Sequence, residues 1–293
     1  MNKCRIEAGS VPGIETPSGK DVAYENFPVG SWLLSSELRP HVAMFYRFAR
    51  TIDDIADNPN LSAAVKLERL EGFEAAILGR KMNTPEYSIG SEMRRSLLTT
   101  RVTLQHTLDL IDAFKQDAVK SRYANWSELM AYCDRSAAPV GRYLLDLHGE
   151  SKVGYGPSDA LCNVLQVINH LQDCQEDYRQ INRVYLPRDW LGEVGARIED
   201  LDAFKTSPKL RYVFDRCLDG LGPLMLEAQK LPLILKNRRL VMEVSAIVSI
   251  AERLISVIRY RDPLSSRLQL NKLDYIWQSL RGITVVLLGV GRP

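Results

Sequence analysis

The chain has 293 residues, enough to bury a sizeable core as one large helical domain or two ordinary ones. Its 38 Lys+Arg against 36 Asp+Glu leave a formal charge of +2, a balance that calls for no nucleic acid and no anionic surface, so any phosphate chemistry has to be local. The five cysteines, Cys4, Cys133, Cys162, Cys174 and Cys217, are odd in number and lack C-x-x-C or metal-ligand spacing, the usage of reduced thiols in a cytoplasmic protein.

Residues 1–20 are rich in Gly, Pro, Ser and Thr without an apolar core segment, and are expected to form a flexible leader, neither signal peptide nor anchor. From about residue 37 helical periodicity dominates and alternating β-branched runs are scarce, which predicts an all-α fold. Helices are expected over 36–56, 62–79, 90–105, 107–120, 126–147, 157–180, 208–229, 238–259 and 268–280, with breaks at clusters such as Asp57-Asn58-Pro59-Asn60 and Asp262-Pro263. Pro139 falls inside the 126–147 pattern, where it removes a backbone donor and should kink or interrupt the helix. No break is long or polar enough for an interdomain linker, so residues 21–293 are expected to form a single domain. The closing apolar stretch 282–290 is far short of the roughly 18 residues of a membrane span; it is expected to be a packed final segment, with peripheral membrane contact as the alternative.

Two of these helices carry matching polar stripes. At roughly 100 degrees per residue, Tyr46, Arg50, Asp53 and Asp57 share one face of the first, with Met44, Phe48 and Ile55 opposite. On the 157–180 helix, Gln166, Asn169, His170, Asp173 and Asp177 share a face opposite Leu161, Val164, Ile168 and Leu171. The stretch from Leu161 to Leu171 has no Lys or Glu, so its amides and histidine are expected to line an interior cavity and not a wet surface. A lone i, i+4 acidic pair arises easily by chance; two in matched frames, with amides below one and an arginine below the other, point to a site. Carboxylates so spaced rise about 6 Å apart on one face and suit Mg²⁺, which prefers oxygen ligands and shares them with substrate phosphates. Facing pairs would form a four-acid cage that stabilises a departing diphosphate through its metal ions.

Asp53-Asp54-Ile55-Ala56-Asp57 and Asn169-His170-Leu171-Gln172-Asp173-Cys174-Gln175-Glu176-Asp177 resemble the two D-x-x-x-D signatures of the squalene and phytoene synthase family. The resemblance runs from about Asp21 to Lys272 and includes Arg183-Val184-Tyr185-Leu186-Pro187, similar to the family's R-x-Y-L-P segment, and the late basic positions Arg267 and Lys272. It implies a class I isoprenoid synthase helical bundle with a central active-site cavity. Asp53, Asp57, Asp173 and Asp177 would be catalytic metal ligands for several Mg²⁺ ions bridging the diphosphate, with Arg50 and Tyr46 also catalytic. Substrate contacts would come from Asn26, Ser31, Tyr46, Arg50, Gln166, Asn169, His170, Gln172, Arg183, Tyr185 and Arg267.

Three segments, Glu25-Asn26-Phe27-Pro28-Val29-Gly30-Ser31, Arg135-Ser136-Ala137-Ala138-Pro139-Val140-Gly141-Arg142 and Arg261-Asp262-Pro263-Leu264, resemble the branch of the family that hydrates presqualene diphosphate in bacterial hopanoid pathways, without NADPH. The chain departs from the family at Ala23-Tyr24-Glu25-Asn26-Phe27, where many relatives have H-S-x-S-F, and at Gln172, where they have Arg. Losing phosphate-facing groups suits one bulky monodiphosphate; an altered phosphate register is equally consistent. The alternatives are a squalene, presqualene diphosphate or phytoene synthase acting on other prenyl diphosphates, and a non-catalytic helical assembly protein of the same fold. The cellular place implied is cytoplasmic, with a peripheral position at the inner face of the membrane as an option.

Overall fold

The computed structural model describes residues 35–81, 84–266 and 268–287, the last three by backbone alone. Asn26, Ser31, Arg267 and the 1–20 leader lie outside the described residues. Among those described, helices alone make the architecture, with one isolated bridge between Arg122 and Val184. They run α1 (Arg39–Asp57), α2 (Ala63–Ile77), α3 (Ser88–Thr100), α4 (Gln105–Asp117), α5 (Trp126–Ser136), α6 (Ala138–Leu147), α7 (Tyr155–Ile181), α8 (Arg188–Val194), α9 (Pro208–Ala228), α10 (Leu231–Ile234), α11 (Arg238–Tyr260) and α12 (Lys272–Leu287).

Local chemistry sets many of these ends. Ser62, Asn125, Ser207 and Asn237 each turn a side-chain oxygen onto an otherwise unpaired N–H in the first turn of α2, α5, α9 and α11. The expected interruption at Pro139 is a full break: α5 stops at Ser136, and Pro139 sits in the first turn of α6, where its missing N–H costs nothing. α12 starts four residues later and ends seven residues later than the sequence pattern suggests. Gly282 is where α12 presses on α11 so closely that a Cβ would strike the Ser245 carbonyl.

Two apolar cores form around these helices. The first joins α1, α2, α3 and α4 through Phe48, Phe73, Tyr87 and Leu110, and reaches α6 where Tyr143 stacks on Phe45 with ring centroids 3.9 Å apart. The second is built on α7, α9 and α11 with α5 and α8 against them. Of the faces read as apolar, Phe48 and Ile55 of α1 and Leu161, Val164, Ile168 and Leu171 of α7 are buried, and Met44 is half-buried. The C-terminal ends of α1, α4 and α7 meet between the two cores.

Candidate active site

The middle of α7 is enclosed almost completely. Between Pro157 and Cys174 the only positions that keep partial exposure are Asp159, Cys162, Gln166, Asn169 and Asp173, spaced 3, 4, 3 and 4 along the helix. Three of the sequence-predicted residues, Gln166, Asn169 and Asp173, lie on that open line, with Asp177 one turn on. On α1, Tyr46, Arg50, Asp53 and Asp57 are likewise half-buried. Arg50 bridges the acids ahead of it, with Nη1 3.1 Å from Asp53 Oδ2 and Nη2 2.9 Å from Asp54 Oδ1.

The two acid-bearing helices are tied together by Arg183. Asn182 ends α7 in the left-handed conformation (φ 52°), which Asn tolerates, and the chain folds back so that the Arg183 N–H donates to Asp177 O at 3.1 Å. From there the buried guanidinium donates to Asp57 Oδ1 at 2.6 Å, to the Asp117 carbonyl at 3.0 Å and to the Tyr185 hydroxyl at 3.2 Å. It also stands 3.7 Å from the Asp117 carboxylate. Burial opposes the charge on Arg183, but Tyr185, Asp117 and Asp57 outweigh it and its pKa is raised. Lys66 donates to Ala56 O at 2.7 Å, satisfying one of the open carbonyls at the end of α1. Burial first, and then Arg183, lower the Lys66 pKa.

Behind these charges lies a cluster of rings. His170 stacks on Tyr185 with centroids 3.5 Å apart and planes 12° from parallel. Tyr123 lies 5.4 Å from Tyr185, and Tyr132 lies 5.3, 5.6 and 6.1 Å from Tyr123, Tyr185 and His170. Tyr132 donates its hydroxyl to Asp117 Oδ2 at 2.6 Å. Burial pushes Asp117 up to about 7 against the opposing pull of Arg183 and the Tyr132 hydroxyl. Burial, with Arg183 adding to it, pushes His170 down to about 3. The Tyr185 phenol is raised by burial and then by the charge of Asp117, with Asp57 and Asp177 adding to it, so both last acids bear on one hydroxyl.

The structure thus brings Asp57, Asp177, Arg183, Tyr185 and His170 into one neighbourhood. Gln172 is also buried and donates its amide to Leu268 O, joining α7 to the segment before α12. Sequence reasoning missed Asp117, Tyr123, Tyr132 and Lys66. Asp117 did leave a signal: it follows Leu110 and Ala113 on the buried face of α4, where a charge needs a partner. His41, His106 and His148 hydrogen-bond to Ser96 Oγ, Asp146 and Leu144 O. Among the described residues no group of three or more His, Cys, Asp or Glu could hold a metal unaided. Mg²⁺ asks for less, one or two carboxylates completed by water and substrate phosphate, and half-buried aspartates at two helix ends fit that demand.

The sequence pattern of the squalene/phytoene synthase family matches residues 21–274. The hydroxysqualene synthase of Rhodopseudomonas palustris is 45% identical over 266 residues, which is 89% of each chain. That of Zymomonas mobilis is 41% identical, over 88% of this chain and 86% of its own. The crystal structure of a squalene synthase from Alicyclobacillus acidocaldarius superimposes with a TM-score of 0.68 at 30% identity, covering 79% of this chain and 86% of that one.

Proposed function

Because the chain belongs to the squalene/phytoene synthase family, we propose that it ionises presqualene diphosphate and lets water capture the rearranged cation, giving hydroxysqualene and diphosphate. The observation that carries the reading is the meeting of two acid-bearing helix ends at Arg183 and Tyr185, in a chain similar to hydroxysqualene synthases along most of its length. Asp53, Asp57, Asp173 and Asp177 are the residues that would hold Mg²⁺, since they offer hard oxygen donors where the carbonyl ends of α1 and α7 add partial negative charge. Bound there, Mg²⁺ supplies Lewis-acid stabilisation of the departing diphosphate.

The remaining roles follow from position. Arg50 and Tyr46, below the acids on α1, steady diphosphate oxygens, and Gln166 and Asn169 do so from the open line of α7. Asn26, Ser31 and Arg267 belong to the same expected set outside the described residues. Arg183 holds the Asp57 carboxylate in place from behind. Departure of diphosphate leaves a cyclopropylcarbinyl cation, which rearranges inside the enclosure and is captured by one water. No hydride is needed, so NADPH has no part in the reaction. Purified protein given presqualene diphosphate and Mg²⁺, with and without NADPH, should form hydroxysqualene in both cases, identified by mass spectrometry. Squalene appearing only with NADPH, or turnover of two shorter diphosphates and none of presqualene diphosphate, would overturn the assignment.

A substrate this apolar concentrates in membranes, and α12 offers a surface suited to one. Leu273, Ile276, Trp277 and Leu280 fall at helical spacing on one side and are each more than half exposed, at 80, 54, 65 and 54%. No helix among the described residues is long and apolar enough to cross a membrane. We therefore read α12 as a peripheral contact that keeps a cytoplasmic enzyme beside the bilayer holding its substrate.

A further inference from the structure

Water capture requires a side chain that holds one water beside the cation and takes its proton, and the four-ring cluster behind the acids offers a choice of groups. Three of the rings are already committed. The Tyr132 hydroxyl donates to Asp117 Oδ2, the Tyr185 oxygen accepts from Arg183, and the Tyr123 oxygen accepts from the Gln116 amide at 3.3 Å. Burial also raises the pKa of all three phenols, so they stay protonated and none serves as a base.

The fourth ring is different. His170 is 7% exposed, and its Nε2 has no hydrogen-bond partner among the described residues. A buried ring nitrogen left unpaired costs about 1–3 kcal/mol, so a partner is expected from beyond the described residues, water among the candidates. The ring is oriented by its stack on Tyr185, the same phenol that feels the charges of Asp57 and Asp177. Other buried polar atoms also lack partners, among them His106 Nδ1, His148 Nε2 and atoms of Ser91, Ser136 and Asn163. Of the unpaired ring nitrogens only His170 Nε2 is on α7, between Asn169 and Asp173; burial keeps it unprotonated, its lone pair open to a proton from the far more acidic water–cation adduct.

We propose that His170 Nε2 holds the water that quenches the cation and accepts its proton. This rests on the reaction proposed above. The step balances: diphosphate leaves with the C–O bonding pair, and a lone pair of the water oxygen then forms the new C–O bond to the rearranged cation. One O–H bond breaks, its electrons staying on oxygen and its proton passing to Nε2, from which it goes to the diphosphate. The faces of Tyr185 and Tyr132 offset the transient imidazolium charge.

The test separates ionisation from capture. His170→Phe keeps an aromatic ring for the stack and removes both nitrogens, while His170→Gln restores a donor and an acceptor. With presqualene diphosphate and Mg²⁺, the hydroxysqualene formed per diphosphate released by His170→Phe should fall at least about tenfold in favour of hydrocarbons formed by proton loss. His170→Gln should recover part of the alcohol, and because it keeps polar capacity at the buried position it carries the test if the Phe variant does not fold. Hydroxysqualene persisting as the main product of either folded variant stripped of imidazole at the wild-type share, or alcohol and diphosphate falling by the same factor, would overturn the assignment. Wild type failing to make hydroxysqualene would instead bring down the proposed reaction, and this step with it.

Discussion

Arg183 is the residue on which most of the site leans. Its guanidinium serves Asp57, Asp117, Tyr185 and two backbone carbonyls at once, a load suited to the planar fork of arginine and poorly met by lysine. Arg183→Ala should lower stability by about 3–5 kcal/mol in urea unfolding, because it strands the buried Asp117 carboxylate. Arg183→Lys should recover much of that but little of the turnover. Equal urea midpoints for wild type and the Ala variant would remove Arg183 from this role. Two buried titratable groups beside it give opposite pH dependences. Asp117 is raised from its ordinary 3.8 to about 7, so its contribution is complete below pH 4 and is lost as pH rises through 7. His170 is lowered from 6.5 to about 3, so its contribution is present above pH 6.5 and is lost as pH falls toward 3. Asp117→Asn should flatten the neutral side of the stability profile and His170→Phe the acid side, each by up to about 1.4 kcal/mol per pH unit; parallel profiles would contradict both. For the four acids, each of Asp53→Asn, Asp57→Asn, Asp173→Asn and Asp177→Asn should cut Mg²⁺-dependent turnover at least about 100-fold, and near-normal rates, or full activity in EDTA, would sink the metal assignment. The acids were legible because their spacing is a helix period. Tyr123 and Tyr132 were not, because a buried tyrosine in a core looks the same in sequence whether or not its hydroxyl holds a buried carboxylate.

At the scale of elements, α1 and α7 were readable from sequence to within a few residues, since both set an apolar face against a polar one. The exposure of α7 shows why that pattern succeeded: Gln166, Asn169 and Asp173 keep partial exposure while Leu161, Val164, Ile168 and Leu171 are buried. Short connectors were not readable. α8 and α10 span seven and four residues, too few for a period to show, and are held by what they pack on, as Trp190 of α8 stacks on Trp126 of α5. At the other end of the chain, the exposed side of α12 carries the membrane prediction. Replacing Trp277 and Leu280 by Gln should reduce flotation with lipid vesicles by several-fold and leave turnover of detergent-dispersed substrate unchanged. Wild-type flotation by the double variant would show that α12 is not the contact.

For the molecule as a whole, the all-helical architecture followed from periodicity, and the family resemblance followed chiefly from two motifs more than a hundred residues apart. What no local pattern could supply was their meeting, which depends on how two separate cores dock. That arrangement has a consequence in time. The Arg183–Asp57 bridge closes a loop of 126 residues, while each core is built largely from helices near one another in sequence. Long loops close at an entropic cost that must be met before their contacts repay it, so the local helices should form early and the bridge late. After dilution from denaturant, far-ultraviolet circular dichroism should recover in a first phase and enzyme activity in a slower one, with Arg183→Lys slowing only the second. Recovery of both signals with a single rate constant would show instead that the two cores assemble together and that the site is born with the fold.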